Sequence, residues 1–176
     1  MNEKVEILIP AEAIENRLRE MADEIMRDYA DKTITFVCVL KGGAVFAMDL
    51  ARKISLPVEF EFLDVASYGN DTTGGTIKFN KDVGSPVTGK NVVIIEDIID
   101  SGKTLSFLYK YLSTQDPAML RICALLDKPD RRVASDFKAD YTGFVIPDKF
   151  VVGFGLDYAQ RYRNLPYVGV LEFVEA

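Results

Sequence analysis

The sequence predicts one α/β domain built around a mostly parallel β-sheet flanked by helices. Three observations lead there. Apolar residues recur at helical spacing over 11–29, a β-branched run at 33–40 and apolar runs at 91–95 and 119–126 alternate with helical stretches, and turn formers punctuate the changes between them. At 176 residues the chain suits a single domain over 1–176 and is too short for two.

Each element has its own reason. Ile14, Leu18, Met21, Ile25 and Tyr29 recur three to four residues apart behind Pro10, which makes 11–29 an amphipathic helix. Residues 33–40 follow as a strand that ends in Lys41-Gly42-Gly43, a second helix is expected over 44–53, and 58–66 alternates as a strand. Strand, loop, helix and strand form the βαβ unit of a parallel sheet. Residues 91–95 are a continuous apolar strand of the fully buried type, followed by a helix over 103–113 and another strand over 119–126. Short strands are expected at 142–146, 149–153 and 167–173. Residues 67–90 break this pattern, being rich in turn formers with one β-like piece at 76–79. So long a connection is either disordered or functional, and composition leaves both open.

Composition removes several chemistries. The chain has no histidine, which excludes histidine-containing zinc sites, a Ser-His-Asp triad and an imidazole base. Cys38 and Cys123 each sit in an apolar strand and read as buried, reduced thiols. A net charge of -6 argues against nucleic-acid binding, which needs clustered Lys and Arg. No apolar run approaches the roughly 20 residues that cross a bilayer, and Met-Asn-Glu-Lys-Val-Glu lacks the features of a signal peptide. A cytoplasmic protein without membrane contact is the expectation.

The informative stretch is Val92-Val-Ile-Ile-Glu-Asp-Ile-Ile-Asp-Ser-Gly-Lys-Thr-Leu105. A buried strand delivers Glu96 and Asp97 to its C-terminal end, where ligands of open α/β sheets collect. Asp100 follows, and Ser101-Gly102-Lys103-Thr104 opens a helix whose N-terminal amides suit a phosphate. A Walker A loop fails because Asp97 stands where its first Gly belongs. A dinucleotide fingerprint at Gly153-Phe-Gly155 fails at Tyr158. Carboxylates crowded beside a phosphate loop call for a cation, and Mg²⁺ shared with sugar hydroxyls fits because it needs few protein ligands.

This stretch resembles the phosphoribosyl-pyrophosphate motif of the type I phosphoribosyltransferases at every position. Val39-Leu-Lys-Gly-Gly43, Ser67-Tyr68, Leu125-Leu-Asp-Lys128, Ile146-Pro-Asp-Lys-Phe-Val-Val-Gly153, Leu156-Asp-Tyr158 and Tyr162-Arg-Asn-Leu165 resemble the hypoxanthine-guanine branch. The likeness runs in order from about 33 to 170. It implies the type I phosphoribosyltransferase fold: a mostly parallel central sheet flanked by helices, with a small hood to which 142–176 contributes part of a purine pocket.

The resemblance also implies roles. Asp100, Ser101, Gly102, Lys103 and Thr104 would bind the 5′-phosphate, with Asp100 also the general base near N7 of the purine. With no histidine present, a carboxylate base is also what composition allows. Glu96 and Asp97 would engage ribose hydroxyls that ligate Mg²⁺, and Asp157 a second Mg²⁺ on pyrophosphate. Lys41-Gly42 resembles the site of a non-proline cis peptide facing pyrophosphate, which Arg163 would clamp. Lys128 would donate to the purine O6, Phe150 would stack on the ring and the Val151 backbone would read its edge. Taken alone, Phe150 reads as core. Ser67 and Tyr68 would close a lid drawn from 67–90. Arg131 and Arg132 are expected in solvent or at a subunit contact. The activity implied joins phosphoribosyl pyrophosphate to hypoxanthine or guanine, giving IMP or GMP and pyrophosphate, in a homodimer or homotetramer. A regulator on the same fold would need a basic face, which a pI near 4.8 opposes. Another acceptor such as adenine would set its amine against the Lys128 ammonium.

Overall fold

The computed structural model describes residues 2–68, 76–133 and 138–174. Chain order is β1 (Asn2–Ile9), α1 (Ala11–Asp28), β2 (Ile34–Val39), α2 (Gly42–Ala51), β3 (Val58–Tyr68), β4 (Thr76–Lys81), β5 (Asn91–Ile99), α3 (Lys103–Ser113), β6 (Met119–Asp127), β7 (Tyr141–Val145), β8 (Val151–Val152) and β9 (Val168–Val174). Six strands form the main sheet in the order β4-β3-β2-β5-β6-β7, parallel except for β4 at one edge.

Side-chain alternation along the central strands divides the core in two. Phe36 and Cys38 of β2 and Val93 and Ile95 of β5 face α1 and α2, where Ile14, Leu18, Met21, Ile25, Phe46 and Leu50 cover them. Val37, Val39, Val92 and Ile94 face the other way, against Leu105, Leu108 and Leu112 of α3. Both faces are covered, which is why these strands are apolar throughout rather than alternating. The buried Tyr29 hydroxyl closes its own account by donating to the Val92 carbonyl at 3.2 Å. Arg17 ties α1 to the far end of the sheet, donating to the Thr142 and Gly143 carbonyls at 2.9 and 3.2 Å.

The connection from β2 runs to β3 on one side, whereas β5 adds on the other, so the strand order reverses between β2 and β5. Open parallel sheets leave a crevice at the C-terminal ends of two such strands. Here those ends carry Lys41-Gly42 and Glu96-Asp97.

Four sequence expectations change. β1 was not expected: its Glu3, Lys4 and Glu6 obscure the pattern, and its partner is the distant β9, with Val5 opposite Leu171. With β8 these strands make a separate antiparallel sheet, the hood. β5 extends four residues past 95, because Glu96 through Ile99 keep pairing with β6 up to Asp127. β8 shrinks to Val151–Val152, since Pro147 has no amide hydrogen and Lys149 donates back to its carbonyl in a turn. The lid drawn over 67–90 also contracts. Residues 76–81 pair with β3, Val87 is fully buried, and Gly89 donates to Asp116. Ser67 and Tyr68 lie at the end of β3, with backbones opposite Ile77 and Thr76. The intervening 69–75 lie outside the described residues.

Candidate active site

The crevice is closed at its base by glycines. A Cβ on Gly42 would lie 1.6 Å from Asp97 Oδ2 and 3.1 Å from the Gly155 carbonyl, so only glycine lets the Asp97 carboxylate rest there. Gly155, at φ +101°, in turn brings its α-carbon so near α2 that a side chain would meet the Gly42 carbonyl at 2.5 Å. Three separated segments thus touch: the start of α2, the end of β5 and the loop after β8. The non-proline cis peptide is Leu40–Lys41, one bond before the predicted Lys41–Gly42. Lys41 already has αR angles and Gly42 is the first helical residue, so the departure from helical geometry falls before Lys41.

Glu96 and Asp97 are adjacent, and Glu96 Oε1 accepts the Asp97 amide at 3.2 Å. Loss of surrounding water, then the Asp97 charge, pushes the Glu96 carboxyl well above its usual range. Burial also raises Asp97, against the opposing pull of hydrogen bonds with Glu96 and the Ile98 backbone and of the Arg163 guanidinium. Two carboxylates so crowded resist ionising together, and a cation beside them removes that resistance. Among the described residues no three acidic or sulfur ligands gather around one point. A metal here would therefore draw its remaining ligands from substrate or water, as Mg²⁺ commonly does.

Beyond the pair, Gly102 caps α3 in the left-handed region at φ 79°, and Ser101 Oγ accepts the Lys103 amide at 3.4 Å. A cavity of about 160 Å³ opens over this turn, lined by Glu96, Asp100, Ser101, Gly102 and Thr104. The helix N-terminus supplies the partial positive charge that favours an anion. Asp100 accepts from Arg131 Nε at 2.7 Å, and Arg131 also reaches Asp148 at 3.6 Å. Arg131 therefore borders the site while staying half exposed to solvent, as the sequence suggested. The chain brings it there because Val133 donates to the Ser101 carbonyl at 3.0 Å, strapping the 128–133 turn to the phosphate loop. Arg132 is the one that differs, being largely covered and forming an ion pair with Asp127.

On the other side of Asp100 a cavity of about 250 Å³ gathers Asp97, Lys128, Phe150, Val151 and Asp157. Lys128 is only 6% exposed, with its ammonium 3.9 Å from Asp148. A buried ammonium with one distant partner is costly, and a ligand oxygen would lower that cost. Phe150 is not core: it is 52% exposed and meets Tyr158 edge-on at 5.8 Å, leaving a ring face available. Val151 is buried, its backbone fixed by pairing with Val170.

The loop after β8 carries the third group. Arg163 Nη2 lies 2.7 Å from Asp157 Oδ1, and its Nη1 donates to the Gly155 carbonyl at 2.7 Å. Lys41 Nζ donates to Gln160 Oε1 at 3.1 Å. Gln160 and Glu3 were invisible in the sequence. Glu3 accepts from Arg161 at 2.5 Å and from the Tyr162 hydroxyl, bracing this loop from β1. Only the hood pairing of β1 with β9 brings Glu3 there, and no local pattern signals it.

Residues 5–159 match the phosphoribosyl transferase domain family. The hypoxanthine-guanine phosphoribosyltransferase of Bacillus subtilis is 47% identical over 94% of this chain and 92% of its own length. The chain belongs to the hypoxanthine-guanine phosphoribosyltransferase family. The Mycobacterium avium member is 46% identical over 94% of this chain and 85% of its own. A crystal structure of a Bacillus anthracis hypoxanthine-guanine phosphoribosyltransferase superposes with a TM-score of 0.91 at 43% identity, covering 98% of this chain and 100% of the other. As for membrane contact, no helix among the described residues is long and apolar enough to cross a bilayer.

Proposed function

We propose that this protein transfers the 5-phosphoribosyl group of phosphoribosyl pyrophosphate to hypoxanthine or guanine, releasing pyrophosphate and giving IMP or GMP. The observation that carries the reading is the position of Asp100, which lines both the cavity over the phosphate turn and the one holding Lys128 and Phe150. A nucleotide monophosphate has those two ends, and its ribose would pass over Glu96 and Asp97.

In this reading the 5′-phosphate rests on the amides of 101–104 and the hydroxyls of Ser101 and Thr104. Lys103 adds positive charge at the same turn. The purine lies against Phe150 with O6 towards Lys128, and the Val151 backbone meets its far edge. Adenine would place an amine at the buried Lys128 ammonium and leave it without an acceptor, which disfavours it. Glu96 and Asp97 would hold one Mg²⁺ together with the ribose hydroxyls, and Asp157 would face a second that comes with pyrophosphate; bound there, these ions would neutralise charge on the leaving group. Lys41, the Gly42 backbone and Arg163 bind the pyrophosphate oxygens as negative charge grows on them. The bond from C1′ to pyrophosphate breaks, that from C1′ to the purine nitrogen forms, and the purine proton passes to Asp100 near N7. Ser67 and Tyr68, at the end of β3, would close over the reaction and exclude water.

A cytoplasmic location and a homodimeric or homotetrameric state belong to the same proposal. The two cysteines, both free and buried, suit a reducing compartment. Nucleotide formation tests the reading: the purified protein is given phosphoribosyl pyrophosphate with hypoxanthine, guanine, xanthine, adenine or uracil. IMP or GMP that forms with Mg²⁺ and disappears with EDTA supports it, while product from adenine or uracil alone would overturn the acceptor assignment.

A further inference from the structure

Lys41 comes from the start of α2 and Arg163 from the loop after β8, yet both donate to one atom. Gln160 Oε1 lies 3.1 Å from Lys41 Nζ and 3.4 Å from Arg163 Nη2. Two cations converging on one point repel each other, and each has a long, flexible stem whose ordering costs entropy. A shared acceptor offsets both effects. Because that acceptor is an uncharged amide, it orients the donors without adding to the negative charge of Asp157, which already lies 2.7 Å from Arg163 Nη2. We propose that Gln160 is a positioning residue, whose side-chain oxygen holds Lys41 and Arg163 together as one clamp for pyrophosphate.

The backbone at this point is fixed by other contacts, so the role belongs to the side chain. The Gln160 amide donates to Asp157 Oδ2 at 2.9 Å, and Tyr158 and Arg161 exchange backbone bonds around it. Ala159, Gln160 and Tyr162 all hold positive φ, at 49°, 66° and 77°. Glu3 pins Arg161 and Tyr162 from β1. A substitution at 160 keeps every one of these restraints and removes only the shared acceptor.

The inference rests on reading Lys41 and Arg163 as the pyrophosphate donors, and its test does not need turnover. Pyrophosphate with Mg²⁺, and separately IMP, are titrated calorimetrically into wild type, Gln160→Leu and Gln160→Ala. Losing an acceptor that orients charged donors should weaken pyrophosphate binding by about tenfold in the Leu and Ala variants. IMP affinity should stay within about twofold, since its contacts lie elsewhere. Unchanged pyrophosphate binding in Gln160→Leu would overturn the inference. An equal loss of IMP binding would overturn it too. Wild type that binds pyrophosphate but forms no nucleotide would remove the proposed function and leave the clamp to be judged by the same titration. Wild type that binds no pyrophosphate would remove both.

Discussion

Gly42→Ala probes the join on which the crevice depends. The added methyl would sit 1.6 Å from Asp97 Oδ2 and 2.7 Å from its Cγ, with the Gly155 carbonyl at 3.1 Å behind. Restoring ordinary contact moves the Asp97 carboxylate by roughly 2 Å. The strain is relieved mostly by that one side chain, and alanine favours the helix by about 1 kcal/mol over glycine. Net destabilisation should therefore be at most about 2 kcal/mol. Catalysis should suffer far more. A misplacement of about 1 Å in a positioning group can cost about 100-fold, so kcat/KM for phosphoribosyl pyrophosphate should fall by at least that factor. Steady-state kinetics with hypoxanthine, beside a thermal melt of the same preparation, separates the two effects. A variant that melts within a few degrees of wild type and keeps kcat/KM within about threefold would refute the placement of Asp97 against substrate.

Three other outcomes follow from the same geometry. Asp100→Asn keeps the size and the acceptor oxygen but cannot take a proton, so kcat should drop about 100-fold or more while the KM for phosphoribosyl pyrophosphate stays within about threefold. Comparable changes in both would remove its role as base. Lys128→Ala should lower kcat/KM for hypoxanthine and guanine by about 10- to 100-fold, and unchanged rates would mean the purine lies elsewhere. Glu96 gives a pH test without Mg²⁺. Its folded-state carboxyl is held above the usual value of 4.5, so its contribution to stability is full below that value and is lost as pH rises through the raised one. Glu96→Gln should thus melt above wild type at about pH 8 and match it at about pH 4; a gap that ignores pH would contradict the assigned cause.

Much of this molecule was legible because its elements are locally consistent. The spacing from Ile14 to Tyr29 and the apolar run from Val92 to Ile95 depend on burial that each segment announces by itself. The phosphate turn was legible for the same reason, since one continuous stretch supplies strand, carboxylates and helix start. What escaped depends on contacts between distant segments. β1 carries three charged residues among its eight and is fixed by β9, some 170 residues away. Arg131 reaches Asp100 only because the turn after β6 is strapped to the phosphate loop, and Gln160 acquires its role only when α2 arrives beside it. Phe150 was misread when taken alone, because its exposure follows from the turn at Pro147 that shortens β8.

The central claim is that one nucleotide spans the cavities on either side of Asp100. A crystal structure of the protein with IMP tests it most directly. The account predicts the phosphate on the amides of 101–104, the ring against Phe150 and O6 within hydrogen-bonding reach of Lys128 Nζ. IMP seated away from Glu96 and Asp97, or with its base on the Lys41 side of the crevice, would contradict it.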